Sequence, residues 1–296
     1  MQILEEINGN EWNTAFSKET QQQAIRAIEN NKIVLLPELS FQLLAQEKKF
    51  FSTAYSTGIS KNINFNPNTD VLRGTKCKGE AAFDLKKMLR RYSEQASTLI
   101  QALLPRYDQA IQLGRTSFRP IEIEGRIPKS YRKDDARLHV DAFPMTPTQG
   151  KRIFRIFTNI NPEGQYRVWR TGEPFAEVAK RFLPTVKKSL YGRSAFLYAI
   201  GLTKSYCTEY DYIMLQIHNN MKGDLHYQQT AQYQEIRFAP NTTWIVQTDS
   251  VSHAALSGQF ALEQTFYLPV EAMADPQLSP LRVLEKIANK RLVSNL

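Results

Sequence analysis

The sequence predicts a mainly β chain with α-helical decoration, built on a double-stranded β-helix (jelly-roll or cupin-like) core. Three observations predict it. Leu138-His139-Val140-Asp141-Ala142-Phe143 reads as extended chain, whose period of two puts His139 and Asp141 on one face. The run Lys151 to Ile160 alternates and is rich in β-formers. Far downstream, residues 242–248 and 261–268 read as strands on either side of a lone His253. A His-x-Asp strand, intervening elements and a returning histidine suit antiparallel strands that close a barrel with a metal inside.

The length of 296 residues fits one domain, since β-barrel folds often exceed two hundred residues as a unit. Within 1–296, residues 1–115 read as a mainly helical elaboration and 116–270 as the β core, with a helical insertion near 175–222. Residues 271–296 read as a C-terminal helix. A hydrophobic content of 42% without low-complexity tracts argues for a globular chain.

No apolar stretch approaches the roughly twenty residues that span a bilayer. The start MQILEEINGNEW is acidic where a signal peptide needs a basic and then an apolar run, so the chain should not be exported. Cys77 and Cys207 make neither a disulfide scaffold nor a zinc cluster, which fits a reducing cytoplasm. A formal charge of +9 points to an anionic partner. Nucleic acid, acidic lipid and a phosphorylated glycolipid all qualify, and so does charge that serves only solubility.

In chain order, Thr20–Asn31 reads as an amphipathic helix and residues 32–37 as a strand stopped by Pro37. Residues 40–55 are helix-like, 62–73 have the Asn/Pro/Asp punctuation of a loop, and Ala81–Leu104 is a helix ended by Pro105. Residues 116–127 give a strand with Ile121 and Ile123 on one face. Lys129–Asp135 is a polar loop, either a lip on the site or a solvated connection. After the strand of residues 151–160, Asn161-Pro162-Glu163-Gly164 is a turn and Tyr166–Arg170 a strand. Helices follow at Phe175–Leu190 and Tyr210–Met221. The tail Leu278–Leu296 is an amphipathic helix that either docks on the domain or lies on an anionic membrane surface.

His139, Asp141 and His253 together would form a two-His, one-carboxylate triad, which grips Fe(II) from one side and leaves positions open for a cosubstrate and oxygen. His218, beside Leu215 and Met221, reads as a packed or surface histidine. His226 lacks a carboxylate two residues on.

The blocks LHVDAF, KRIFRIFTNINPEGQYRVWRTGEPF and TWIVQTDSVSHAALSGQFALEQTFYLP resemble the Kdo hydroxylase family, from about Arg137 to Leu268. The resemblance implies the same double-stranded β-helix and an Fe(II)/2-oxoglutarate-dependent dioxygenase. Such an enzyme uses O2 to hydroxylate C3 of the sugar acid Kdo in the lipopolysaccharide inner core, with ascorbate helping to keep the iron reduced. It also implies catalytic and metal-binding roles for His139, Asp141 and His253, and Kdo-containing lipid A as substrate. Nucleic acid is not an expected partner. The implied location is the bacterial cytoplasm, with peripheral contact at the anionic inner membrane.

The distal carboxylate of 2-oxoglutarate needs a cation, preferably an arginine fork. Many relatives of the superfamily place an arginine on the strand after the second histidine, but ALEQTFYLP has Gln264 instead. Other branches draw the cation from the strand after the His-x-Asp turn, where Arg155 stands. Arg152, Arg167 and Arg170 are the reserves, and Thr158 or Gln264 would add neutral hydrogen bonds. For the sugar, Lys129, Arg132, Lys133 and Arg137 lie near the ligand pair in sequence, and Trp169 and Trp244 offer ring faces or ordinary core packing. Two further readings remain open: the same chemistry on another substrate, and a noncatalytic barrel that binds anionic glycans.

Overall fold

The computed structural model describes residues 3–58, 60–187, 194 and 198–293. The larger sheet contains β1 (Leu4–Glu6), β2 (Ile33–Leu36), β3 (Ile63–Asn66), β4 (Val71–Arg73), β5 (Gln112–Arg119), β6 (Arg152–Asn159), β9 (Thr243–Gln247) and β11 (Ala261–Leu268). Its order is β1-β2-β9-β6-β11-β5-β3-β4, antiparallel except for the β1–β2 pair. The smaller sheet is β10-β7-β8, from β7 (Arg167–Pro174), β8 (Gln234–Phe238) and β10 (Val251–Ser257). His139 adds an isolated antiparallel bridge to His253 on the free edge of β10. The two sheets form the walls of the expected β core.

β6 is buried along its whole length because both its faces are covered. Outside the barrel lies α2 (Gly79–Leu103), whose Tyr92 hydroxyl donates to the Ile156 carbonyl at 3.3 Å and sits 3.1 Å from Thr158 Oγ1. Inside, Phe157 joins an aromatic plug between the sheets. Phe238 stacks on Trp244 at 4.0 Å, Trp244 on Phe157 at 5.3 Å, and Trp169 meets Phe157 edge-on at 5.1 Å. Truncating one such buried ring costs about 3–5 kcal/mol, so the plug is a rigid floor for whatever lies above it.

α1 (Lys18–Glu29) starts at Ser17, whose hydroxyl accepts the Thr20 N–H. The segment 62–73 is not the expected loop but the β3–β4 hairpin. Its asparagines alternate with buried Ile63 and Phe65, and the turn is made by Asp70 at φ 54°. Residues 40–55 contain only 3-10 turns, at Ala45–Phe50 and Thr53–Tyr55. The strand expected at 116–127 lies earlier, at β5, because Pro120 has no N–H to continue the ladder. Beyond it the Glu122 carboxylate accepts the Ile123, Glu124 and Gly258 N–H groups, folding Ile123 into the plug. Residues 3–115 supply four strands of the larger sheet as well as α1 and α2, so this part is woven into the sheet.

Residues 138–142 are extended, but only His139 pairs in a ladder. Side chains satisfy the outer edge. Gln228 accepts the Leu138 N–H at 2.8 Å and donates to its carbonyl at 3.0 Å, and His218 Nδ1 lies 2.7 Å from the Val140 carbonyl. Those partners come from α4 (Glu209–Gly223) and α5 (Leu225–Thr230), which follow α3 (Phe175–Phe182). A 3-10 turn at Leu183–Thr185 follows α3, and the remainder of the helix expected to reach Leu190 passes at residue 188 outside the described residues. α4 opens on a capping box in which Thr208 Oγ1 accepts the Asp211 N–H and Asp211 accepts the Thr208 N–H. Asp211 also accepts the Thr148 and Gln149 N–H groups, tying α4 to the loop after the His-x-Asp segment. The tail helix α6 (Pro280–Ala288) is shorter than expected and buries Leu281 and Leu284 in the main core; residues 294–296 lie outside the described residues. Among the described residues no helix is long and apolar enough to cross a membrane.

Candidate active site

Above the aromatic plug lies a cavity of about 270 Å³, walled by the His-x-Asp segment, β5, β6, β7, β10, β11, α4 and the loop 131–135. His139, Asp141 and His253 meet in it, with one potential ligand atom from each lying within 4.8 Å of the others. The backbone orients both imidazoles. His139 Nδ1 lies 2.7 Å from the Arg137 carbonyl and His253 Nδ1 2.8 Å from the Val251 carbonyl. Each Nδ1 therefore carries the proton and donates it, which leaves each Nε2 as a lone pair facing the cavity. Trp169 stacks on the His253 ring at 5.2 Å and 24°.

The charge states suit a cation. Burial pushes the His139 imidazole well down, helped by Lys222 and His253, and burial likewise lowers His253, so both rings are neutral. Burial alone would raise the Asp141 carboxyl, but Arg155 and the two imidazoles outweigh it and hold it far below the usual carboxylate range. Two neutral nitrogen donors and one ionised oxygen donor on one side of a cavity fit a first-row divalent ion such as Fe(II). Asp141 Oδ2 is kept in place by Arg155 Nη2 at 2.9 Å, at an angle too bent for a hydrogen bond.

Arg155 reaches the cavity as its strand position implies, but both its terminal nitrogens are committed: Nη2 to Asp141 and Nη1 to Glu263 at 2.9 Å. Thr158 and Gln264 need correction as candidates for the cosubstrate site. Both project from the opposite face of the sheet, Thr158 onto Tyr92 and Thr243, and Gln264 onto Thr116. The reason is parity: Thr158 lies three positions after Arg155 on one strand, and Gln264 pairs with Ile156 rather than with Arg155. Arg152 is also turned elsewhere, buried against Asp249 and Ser250. Arg170 lies over the Tyr233 ring.

Arg167 does line the cavity. It is 2% exposed, and among the described residues its side chain makes one hydrogen bond, to the Gly258 carbonyl at 3.3 Å, while its Nε has no partner. Burial and neighbouring Arg119 push its guanidinium down to about 9, a sign of a positive charge without its counterion. Trp169 Nε1, also buried in the cavity wall, has no partner among the described residues either. His218 and Lys222 were passed over in the sequence, yet both line the cavity, and the His218 ring packs edge-on to His139 at 5.0 Å. Their i,i+4 spacing is the one signal the sequence holds, and it has meaning only once α4 is known to dock over the His-x-Asp segment. Eight Lys or Arg residues and three carboxylates line the cavity, so the site as a whole attracts anions. Of the basic residues near the pair in sequence, Arg132 and Lys133 stand at the mouth, whereas Arg137 is held by Asp134 and the Lys222 carbonyl. Trp244 belongs to the plug.

The sequence profile of the 3-deoxy-D-manno-oct-2-ulosonic acid (Kdo) hydroxylase family matches residues 11–291. A comparison with curated proteins finds no match. Among solved structures the chain is similar to the Kdo hydroxylase KdoO, a non-heme Fe(II) alpha-ketoglutarate dependent dioxygenase. With its complex of succinate and Fe(III), identity is 42% over 100% of this chain and 99% of that one, at a TM-score of 0.95. With its cobalt(II) complex the identity is 43% over the same shares and the TM-score 0.96. With its complex of alpha-ketoglutarate and Fe(III) the identity is 41% over 99% of each chain and the TM-score 0.95.

Proposed function

From the premise that this chain belongs to the Kdo hydroxylase family, we propose that it is an Fe(II)/2-oxoglutarate-dependent dioxygenase that hydroxylates C3 of Kdo in the lipopolysaccharide inner core, on Kdo-containing lipid A. The observation that carries this reading is the meeting of His139, Asp141 and His253 around one point of an anion-attracting cavity.

The two Nε2 atoms and the Asp141 carboxylate would hold the iron. When bound, iron with 2-oxoglutarate and O2 supplies the oxidation that replaces a C–H hydrogen by hydroxyl, releasing succinate and carbon dioxide. The chain's own work is placement. The Arg137 and Val251 carbonyls fix the imidazole tautomers, and Arg155 fixes the carboxylate. For the distal carboxylate of 2-oxoglutarate, Arg167 is the better cation than Arg155, because its charge is buried in the cavity wall without a carboxylate. Trp169 Nε1 is available as a neutral donor beside it on β7. The plug below and α4 above limit water at the reacting centre.

The lipid portion of the substrate and the anionic inner-membrane surface meet the protein at the cavity mouth. Ile127 and Met145, 92% and 62% exposed, lie in the same loops as Arg132, Lys133 and cavity-lining Phe143 and offer apolar side chains to such a surface. The protein is then a cytoplasmic enzyme in peripheral contact with the membrane. Mass spectrometry of Kdo-lipid A incubated with the protein, ferrous iron, ascorbate and 2-oxoglutarate tests the assignment. A gain of one oxygen on the Kdo residue is expected. Succinate formation with no gain on Kdo would move the chemistry to another substrate, and neither product would leave a noncatalytic glycan-binding barrel.

A further inference from the structure

We propose that Lys222 binds the carboxylate of the sugar acid and thereby determines which carbon faces the metal site; this deepens the Kdo hydroxylase reading and rests on it. Lys222 stands in the last turn of α4, four residues after His218, so the two side chains share one face of the helix. Both line the cavity that contains the triad.

Lys222 is 2% exposed, and among the described residues its ammonium makes one hydrogen bond, to the Arg132 carbonyl at 3.2 Å. An ammonium has three N–H donors, so donor capacity remains. The carboxylates of the cavity are held by other cations: Asp135 by Lys61 and Arg126, Asp141 by Arg155, and Glu263 by Arg119 and Arg155. A buried charge without a counterion is costly, and a ligand that brings the counterion relieves that cost.

Among the described residues two buried cations of the cavity are in this condition, Arg167 and Lys222, and they belong to different walls. Arg167 rises from β7 and Lys222 descends from α4, next to the basic residues of the mouth. At the reacting end the reaction brings the distal carboxylate of the cosubstrate and the carboxylate of the sugar acid, two anionic groups that do not sit on the metal. Each cation serves one. Arg132 and Lys133 are exposed, so their charges attract the substrate at long range without fixing its pose.

The chemistry of the sugar gives this placement its consequence. Its carboxylate is attached to C2, and C3 is the next ring carbon. His218 packs 5.0 Å from the His139 ring, and Lys222 lies one helical turn from His218. A carboxylate held by Lys222 keeps C3 closer to this wall of the cavity than the more distant ring carbons, and the choice of carbon rests on that proximity.

The test is calorimetric binding of the methyl ketoside of Kdo and of its methyl ester to the full chain with Fe(II) and 2-oxoglutarate, without oxygen. Wild type should favour the free acid by about tenfold or more, as loss of a charge-assisted hydrogen bond implies. Lys222→Met should bind acid and ester within about twofold of each other, while Lys222→Arg keeps part of the preference. Affinity for 2-oxoglutarate should be unchanged in both. If Lys222→Met does not fold by circular dichroism, Lys222→Gln takes its place. A Met or Gln variant that still favours the acid about tenfold overturns the Lys222 assignment alone, as does a wild type that binds acid and ester equally. A wild type that binds neither overturns the Kdo reading as well.

Discussion

Arg155 Nη2 lies 2.9 Å from Asp141 Oδ2, so the carboxylate of the His-x-Asp segment is held by the strand that follows it. The other arm of the same guanidinium reaches Glu263 Oε1 at 2.9 Å. Arg155 is thus a positioning residue in a buried chain of charges that runs from Asp141 through Glu263 to Arg119. Removing one member of such a buried network costs about 3–5 kcal/mol, because it strands the partner's charge.

Arg155→Met should accordingly lower the thermal stability of the protein and weaken metal binding by about 10–100-fold. Metal titration followed by calorimetry checks it. Unchanged metal affinity in a folded Arg155→Met variant would mean that Asp141 needs no such support.

Arg167→Met should raise the KM for 2-oxoglutarate by about tenfold or more, through loss of a charge-assisted hydrogen bond. The KM for the sugar substrate should change little. Because the present structure leaves the Arg167 charge unneutralised, the same variant should not destabilise the protein without cosubstrate. A large loss of stability combined with an unchanged KM would assign Arg167 to the scaffold.

Part of this account was legible in the sequence. Period two in LHVDAF placed His139 and Asp141 together, and the strand flanks of His253 suggested it as the third member; the three side chains meet in the cavity. Parity could also have removed Thr158, since odd spacing from Arg155 sends it to α2. The pairing of Gln264 needed the register of β11. His218 and Lys222 were not legible, because helical spacing reveals a face but not what the face docks against. What fixes that docking is a set of long-range bonds: Gln228 to Leu138, His218 to Val140, and Asp211 to Thr148. The β3–β4 hairpin was hidden for a related reason, since its half-buried asparagines resemble loop residues until Ile63 and Phe65 have a core to face.

The histidines also set a pH dependence. Burial, with Lys222 nearby, pushes the His218 imidazole from 6.5 down to about 4, and burial lowers His139 and His253 as well. A group held below its unfolded value contributes stability above that value and loses it as pH falls toward the folded one. The metal-free protein should therefore lose stability from about pH 6.5 downward, as the unfolded chain takes up protons that the native chain does not. Each such proton steepens the loss by about 1.4 kcal/mol per pH unit. His218→Asn should make the total drop between neutral pH and pH 4 smaller by about 3 kcal/mol. Denaturant unfolding of chelator-treated protein across that range checks it, and an unaltered slope in the variant would contradict it.

Trp169 both floors the cavity and stacks on His253. Trp169→Ala should cost about 3–5 kcal/mol of stability. Trp169→Phe keeps an aromatic ring but loses the unpartnered N–H and part of the packing, so it should cost less stability than Trp169→Ala while weakening 2-oxoglutarate binding. Equal cosubstrate affinity in wild type and Trp169→Phe would show that the indole N–H meets no ligand.

The central claim is that His139, Asp141 and His253 together direct oxygen onto the sugar. It is tested most directly by turnover of Kdo-lipid A under isotopically heavy dioxygen, with the product's Kdo residue analysed by mass spectrometry. Wild type should carry one heavy oxygen on Kdo, and folded His139→Ala, Asp141→Ala and His253→Ala variants should carry none. An unlabelled wild-type product, or a labelled product from any of the three variants, would contradict the account.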